Sequence, residues 1–230
     1  MIFRPCKHRL RSTQRRALTI GINYFSLTPG QGRLSGCIND SETMIAVLKD
    51  TFKFEDGQIC RLRDDRTNMM PTKANMLAAM HWLTQGVGSG DELFLHYSGH
   101  GGRADDRSGD ELTGKDDTLI PCDFQTAGQI SDDQLHSLLV EHLPEGCRLW
   151  VIFDCCHSGS ALDLAFKVHA AADSKKLRCT KLRSRYRRPS GRPSKPANGE
   201  VVMISGCTDD QTSADIQPVP QQLVTMQQGP

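Results

Sequence analysis

The chain has 230 residues, a formal net charge of +1, 37% hydrophobic and 24% charged residues. That is the balance of an ordinary globular domain with room for a trailing segment, and the near-neutral charge gives no overall attraction to nucleic acid or to a membrane surface. Nine cysteines stand at irregular spacings with no C-x-x-C pair, which argues against a zinc ribbon or a thioredoxin motif. No signal-peptide core or membrane-span-length apolar run occurs: the first apolar stretch, Ala17 to Ile22, is short and follows Arg15 and Arg16. The expectation is a reduced cytosolic protein, or also a nuclear one, in which a free thiolate can serve as a nucleophile.

Residues 1–16 are basic and aperiodic and read as a disordered leader. Ala17–Ile22 is short, apolar and closed by turn-prone residues, so it predicts a buried strand. Met44, Ile45, Val47, Leu48 and Phe52 give one apolar face to a helix from about Asp40 to Phe52. Ile59–Leu62 predicts a second strand, and Thr72 is placed to cap a helix running to about Thr84. Asp91–Ser98 predicts a third strand. Residues 103–118 are acidic and glycine-rich and read as a surface loop. A helix is expected from Ile130 to His142, starting at Ser131. Arg148–Asp154 is almost wholly apolar and predicts a strand buried on both faces, and Glu200–Ser205 a fifth strand. Strands alternating with helices imply βαβ units and a mostly parallel, doubly wound α/β sheet. Residues 174–199 carry many Lys and Arg and no acid, the composition of a disordered basic loop; residues 217–230 have no period and read as a tail.

Chemistry-bearing residues gather at two strand ends. The third strand runs into Ser98-Gly99-His100-Gly101, and the fourth into Asp154-Cys155-Cys156-His157-Ser158-Gly159. In open α/β sheets, functional groups collect beyond the carboxyl ends of the strands. A His beside a Cys makes a nucleophile, because a thiol of pKa about 8.5 is mostly protonated at neutral pH and an imidazole can take its proton. Glycines near the nucleophile leave backbone N–H groups open to an oxyanion. A lone His or a lone buried Cys is ordinarily structural; the two together at adjacent strand ends point to catalysis.

The blocks H-Y-S-G-H-G-G, D-C-C-H-S-G and S-G-C-T-D-D-Q-T-S, with I-N-Y-F and L-S-G-C-I-N-D before them, resemble the signature blocks of type I metacaspases, over about Ala17 to Ile216. The Cys stands 56 residues after the His (156 − 100), close to the spacing of about 50 known in caspases; the caspase pentapeptide is absent. The resemblance implies a caspase-like three-layer sandwich, with a mostly parallel central sheet flanked by helices. Residues 17–173 would be its large catalytic part, 174–199 a linker and 200–216 the start of its small part, with the family's last strand and helices missing beyond it. It also implies a cysteine endopeptidase with His100 as general base and Cys156 as nucleophile, Cys155 filling a variable position. Asp40 and Asp154, with Ser98 and Cys37 beside them, correspond to a pocket that takes Arg or Lys before the scissile bond; Asp40 alone also suits a helix N-cap. Calcium is implied, with Asp116, Asp132, Asp133 and Asp163 as ligands and Asp117 alongside. Hard cations do take such oxygens, although solvated acids at a helix start are the plain reading, and no EF-hand loop or organic cofactor is indicated.

The partners that follow are polypeptides with Arg or Lys before the cut, and the chain itself as substrate in its basic loop 174–199. No membrane partner is expected. Nucleic acid is disfavoured, since Tyr186 alone in that loop offers a stacking ring. The leader is shorter than the family's usual prodomain, and the tail departs from the family's ending. A catalytically impaired caspase-fold binding or regulatory protein is therefore the alternative to an active enzyme.

Overall fold

The structure is a computed structural model and describes residues 12–65, 69–105, 115–155, 161, 162, 164, 166–170, 177–181 and 198–206. Five strands form the central sheet: β1 (Arg15–Gly21), β2 (Ile59–Arg63), β3 (Glu92–Ser98), β7 (Arg148–Asp154) and β10 (Glu200–Ser205), in the order β10-β7-β3-β1-β2. Every pairing in it is parallel. A mixed α/β architecture with a parallel central sheet flanked by helices is therefore what the alternating pattern dictated. The order reverses at β1, whose two neighbours are β2 and β3, and in open α/β sheets the carboxyl ends at such a reversal are where ligands bind.

Period-two alternation sorts the side chains between two layers. On one face Leu18, Ile20, Leu95, Tyr97, Leu149, Val151 and Phe153 are fully buried against α2 (Lys73–Thr84) and α4 (Asp132–Leu139). Such burial contributes about 1.5–3 kcal/mol for each large aliphatic or aromatic side chain. On the other face α1 (Cys37–Asp50) packs Ile45 and Leu48 against Ala17, Ile59 and Phe54. The approach of α1 to β1 is so close that a Cβ at Gly21 would lie 2.6 Å from the Cys37 carbonyl oxygen. The expected cap at Thr72 forms, its Oγ1 accepting from Asn75 N–H at 3.2 Å, and Ser131, where a helix was expected to start, caps α4 in a capping box with Gln134. Helix α1 begins three residues before Asp40, so Asp40 lies in its first turn and is not its N-cap.

Three expectations differ from the structure. The stretch 103–118 is not only loop: β4 (Gly101–Asp105) and β5 (Lys115–Leu119) pair antiparallel, and β5 pairs with the two-residue β6 (Ile130–Ser131). Long-range pairing stabilises these segments, whose acidic composition has weak strand propensity. Strand β7 is buried on one face. Trp150 is 43% exposed, and its register partner Val202 and the next alternate residue on β10, Ile204, are also exposed, because α1 packs on β1 and β3. Finally β8 (Phe166–Ala170) and β9 (Leu177–Lys181) make an antiparallel pair, so the basic stretch 174–199 includes a strand. A composition averaged over the whole stretch hides five residues of extended chain. The leader residues 1–11, the rest of the linker (182–197) and the tail 217–230 lie outside the described residues. No described helix, including the four-residue α3 (Phe124–Ala127), is long and apolar enough to cross a membrane.

Candidate active site

Three strand ends stand abreast at the carboxyl edge of the sheet. In the parallel register Ser98 of β3 is flanked by Gly21 of β1 and Asp154 of β7. Ser98 Oγ donates to Asp40 Oδ2 at 3.0 Å, which ties the first turn of α1 to the sheet edge. Cys37 opens α1 and is buried. The four residues expected to form a pocket thus belong to one corner of the fold, on the α1 side of the sheet. Two residues down β3 on the same face, His96 is buried. Burial pushes its pKa down to about 4, against the opposing pull of the Asp154 carboxylate. His96 is neutral near pH 7, and the described charges of this corner are the carboxylates of Asp40 and Asp154.

His100 follows two residues after β3 and is partly exposed. Its backbone is clamped by two buried tyrosines. His100 N–H donates to Tyr24 Oη at 2.9 Å, and Tyr97 Oη donates to the His100 carbonyl at 2.7 Å. Tyr24 Oη in turn donates to the Ile120 carbonyl at 2.7 Å, and its ring centroid lies 4.6 Å from that of the imidazole. Burial raises the pKa of both phenols, so both stay protonated donors. A Cβ at Gly99 would lie 2.8 Å from Tyr97 Oη and 3.1 Å from Tyr24 Oη, so only glycine fits between these hydroxyls.

The imidazole itself is aimed by the loop after β1. His100 Nε2 lies 2.5 Å from the Gly32 carbonyl oxygen. A carbonyl only accepts, so Nε2 carries the proton, and in the neutral ring Nδ1 is then the free base. The shape of that loop comes from one carboxylate. Asp64, just past β2 and buried, accepts from Asn23 N–H at 2.9 Å and from Phe25 N–H at 3.1 Å. Tyr24 between them has φ 56°. Sequence reasoning singled out none of Tyr24, Gly32, Asp64 or Tyr97. Tyr24 stands in the block I-N-Y-F and Tyr97 in H-Y-S-G-H-G-G, and Gly32 in a turn-prone stretch, but none of these patterns indicates a contact with His100.

Of the two adjacent cysteines, Cys155 is buried in the main core with Phe153 and Tyr97. Cys156 lies outside the described residues, as does Asp163. The remaining expected metal ligands sit around the small antiparallel sheet. Asp116, Asp117 and Asp132 are buried. Asp132 Oδ2 accepts from Asp117 N–H and its Oδ1 from Asp133 N–H, both at 2.9 Å, while Arg103 Nε lies 3.5 Å from Asp117 Oδ1. Oxygen donors of this kind suit a hard cation in their chemistry. As arranged, however, no group of three or more His, Cys, Asp or Glu among the described residues could hold a metal ion.

A parallel α/β sheet that sets a histidine loop beside a strand ending in cysteines is the architecture of the caspase-like cysteine peptidases. The family is more particular than that. The model of the metacaspase, peptidase C14 domain matches residues 15–165. Metacaspase-1 of Mycosarcoma maydis is 42% identical over 88% of this chain and 58% of its own length, and metacaspase-1 of Arabidopsis thaliana is 43% identical over 88% and 53%. The crystal structure of a Geobacter sulfurreducens protein superposes with a TM-score of 0.58 at 26% identity, over 88% of this chain and 76% of that one. The chain belongs to the metacaspase family. It spans somewhat more than half the length of the curated relatives it matches.

Proposed function

We propose that the chain is a cysteine endopeptidase that cleaves after Arg or Lys through a dyad of Cys156 and His100. The observation that carries this reading is the single corner holding His100, with Nε2 committed to Gly32, beside the carboxylates of Asp40 and Asp154. In the first step Nδ1 of His100 takes the Cys156 proton and the sulfur attacks the scissile carbonyl carbon, whose π electrons move onto oxygen. The imidazolium then gives its proton to the departing amine, the C–N bond breaks and a thioester remains. His100 next removes a proton from water, the hydroxyl adds to the thioester carbon, and the thiol leaves with the proton restored. Throughout, the Gly32 carbonyl holds the ring in place. Asp40 and Asp154 would draw a guanidinium or ammonium into the corner by attraction between opposite charges. Ser98 fixes the Asp40 carboxylate.

Calcium belongs to the proposal as a regulator, held by Asp116, Asp132, Asp133 and Asp163 with Asp117 nearby. Its support is the concentration of buried acids beside β4, the strand that starts directly after His100. It would neutralise like charge and steady β4 and β5, and it takes no part in bond breaking. Self-cleavage within 174–199 and action in the cytosol or nucleus complete the reading. The test uses fluorogenic peptides ending in Arg, Lys or Asp, with calcium or chelator, on wild type and Cys156→Ala. Cleavage after Arg and Lys that requires Cys156 is expected. Cleavage after Asp, or cleavage persisting in Cys156→Ala, would overturn it.

A further inference from the structure

Asp64 is a buried carboxylate in a place where an ion pair would be expected, yet its hydrogen bonds among the described residues are two backbone N–H groups, from Asn23 and Phe25. These N–H groups flank Tyr24, which has a left-handed φ of 56°, and both donate to the one carboxylate of Asp64. The geometry is demanding for a residue with a side chain, since a positive φ costs energy outside glycine and persists only when the surroundings impose it.

Two of the contacts that aim His100, those of Tyr24 and Gly32, run from this point. Tyr24, between the two bonds, supplies the hydroxyl that receives His100 N–H and the ring that packs on the imidazole. Its carbonyl accepts from Leu27 N–H at 2.8 Å, which starts the turn carrying Gly32 back over the histidine. Asn23 closes the far end of that loop. Its carbonyl accepts from Leu34 N–H at 2.9 Å, its Nδ2 donates to the Ser35 carbonyl and its Oδ1 accepts from Ile38 N–H, the last two at 3.4 Å. Ile38 is in the first turn of α1, the turn that also carries Asp40.

We infer that Asp64 is a positioning residue for the peptidase reaction, setting the imidazole's tautomer and direction through Tyr24 and the Gly32 carbonyl and the pocket acid Asp40 through Asn23. The inference rests on His100 being the base. Two N–H donors need two acceptors, and a carboxylate supplies both. An amide of the same shape supplies one and sets its own N–H₂ against the other donor. Loss of one bond would let the loop relax, move the Gly32 carbonyl off Nε2, and leave the ring free to protonate at either nitrogen. Misplacement of a catalytic group by about 1 Å can cost on the order of 100-fold in rate.

The experiment compares wild type, Asp64→Asn and His100→Ala by steady-state kinetics on an Arg-ended peptide and by NMR of the full chain with ¹⁵N-labelled histidine, the His100 signal being the one lost in His100→Ala. Wild type should show His100 protonated at Nε2. Asp64→Asn should show mixed tautomers, with kcat lowered roughly 10- to 100-fold per titratable thiol and KM nearly unchanged. A merely structural role would lower thermal stability and leave tautomer and kcat per folded molecule alone, and that result overturns the inference. Wild-type kcat in His100→Ala would instead overturn the base assignment beneath it. Should Asp64→Asn fail to fold, Tyr24→Phe cuts the branch to His100 one link on, by removing the hydroxyl that receives His100 N–H. It should give the same signature with smaller amplitude, and an unchanged tautomer and kcat there count equally against the inference.

Discussion

Two buried carboxylates in this protein do the same thing locally and sit in opposite company. Asp64 and Asp132 each accept two backbone N–H bonds. Around Asp64 the described partners are neutral, and the carboxylate fixes a loop. Asp132 instead accepts from the backbone of two further acids, Asp117 and Asp133, and Asp117 makes an ion pair with Arg103 of the small sheet. Two N–H donors are enough to hold one buried carboxylate, and a fixed geometry is the result. When acids crowd together, repulsion between them remains after the hydrogen bonds are made, and the site becomes responsive to an added cation. On the proposed reading, the first arrangement positions His100 and the second is where calcium would act.

The sharpest way to break this comparison is to make the same isosteric change at both places. Asp132→Asn should abolish most of the calcium stimulation of peptide cleavage, whatever its size in wild type. Asp64→Asn should lower cleavage roughly 10- to 100-fold with and without calcium and leave the stimulation ratio intact. Equal loss of stimulation in both variants would show that the two carboxylates do not have separate roles.

A smaller effect concerns His96, which lies on the pocket side of β3 and whose Nδ1 has no hydrogen-bond partner among the described residues. The unfolded chain binds a proton there near pH 6.5, the folded chain only near pH 4. Stability owed to the neutral ring is therefore whole above about pH 6.5 and is lost as pH falls toward 4, by up to about 3 kcal/mol. Urea unfolding of wild type and His96→Gln across pH 4–7 checks this. The difference between the two curves should narrow as pH falls, and a constant difference would contradict it.

Smaller again is Cys155→Ser. The thiol is buried in the core, so a hydroxyl there should cost roughly 1–3 kcal/mol of stability while kcat stays within a few-fold of wild type. Loss of activity in a folded Cys155→Ser protein would reassign the nucleophile.

The parallel sheet was legible because its strands are short apolar runs closed by turn residues, and the caps at Thr72 and Ser131 because Thr and Ser stand directly before periodic segments. Motif blocks led to His100, Asp40 and Ser98 because they fall at strand and helix ends, where chemistry collects. Strands β4, β5, β8 and β9 were not legible, since their stability depends on pairing partners that no local pattern reveals. The positioning layer was hidden for a related reason. Gly32 acts through its carbonyl, and Asp64 is met by the backbone N–H groups of Asn23 and Phe25; a backbone carbonyl or N–H carries no residue-type signal. Trp150 shows the converse: an apolar run reads the same whether one face or two is covered.

The claim that everything else depends on is that His100 activates Cys156. It is tested most directly by the rate at which iodoacetamide alkylates Cys156 as a function of pH, in wild type and His100→Ala, with the modified residue located by mass spectrometry. Wild type should react fast well below pH 8.5, the pKa of a free thiol. In His100→Ala the alkylation profile should move up to that of an ordinary cysteine. A profile identical in the two proteins would contradict the account.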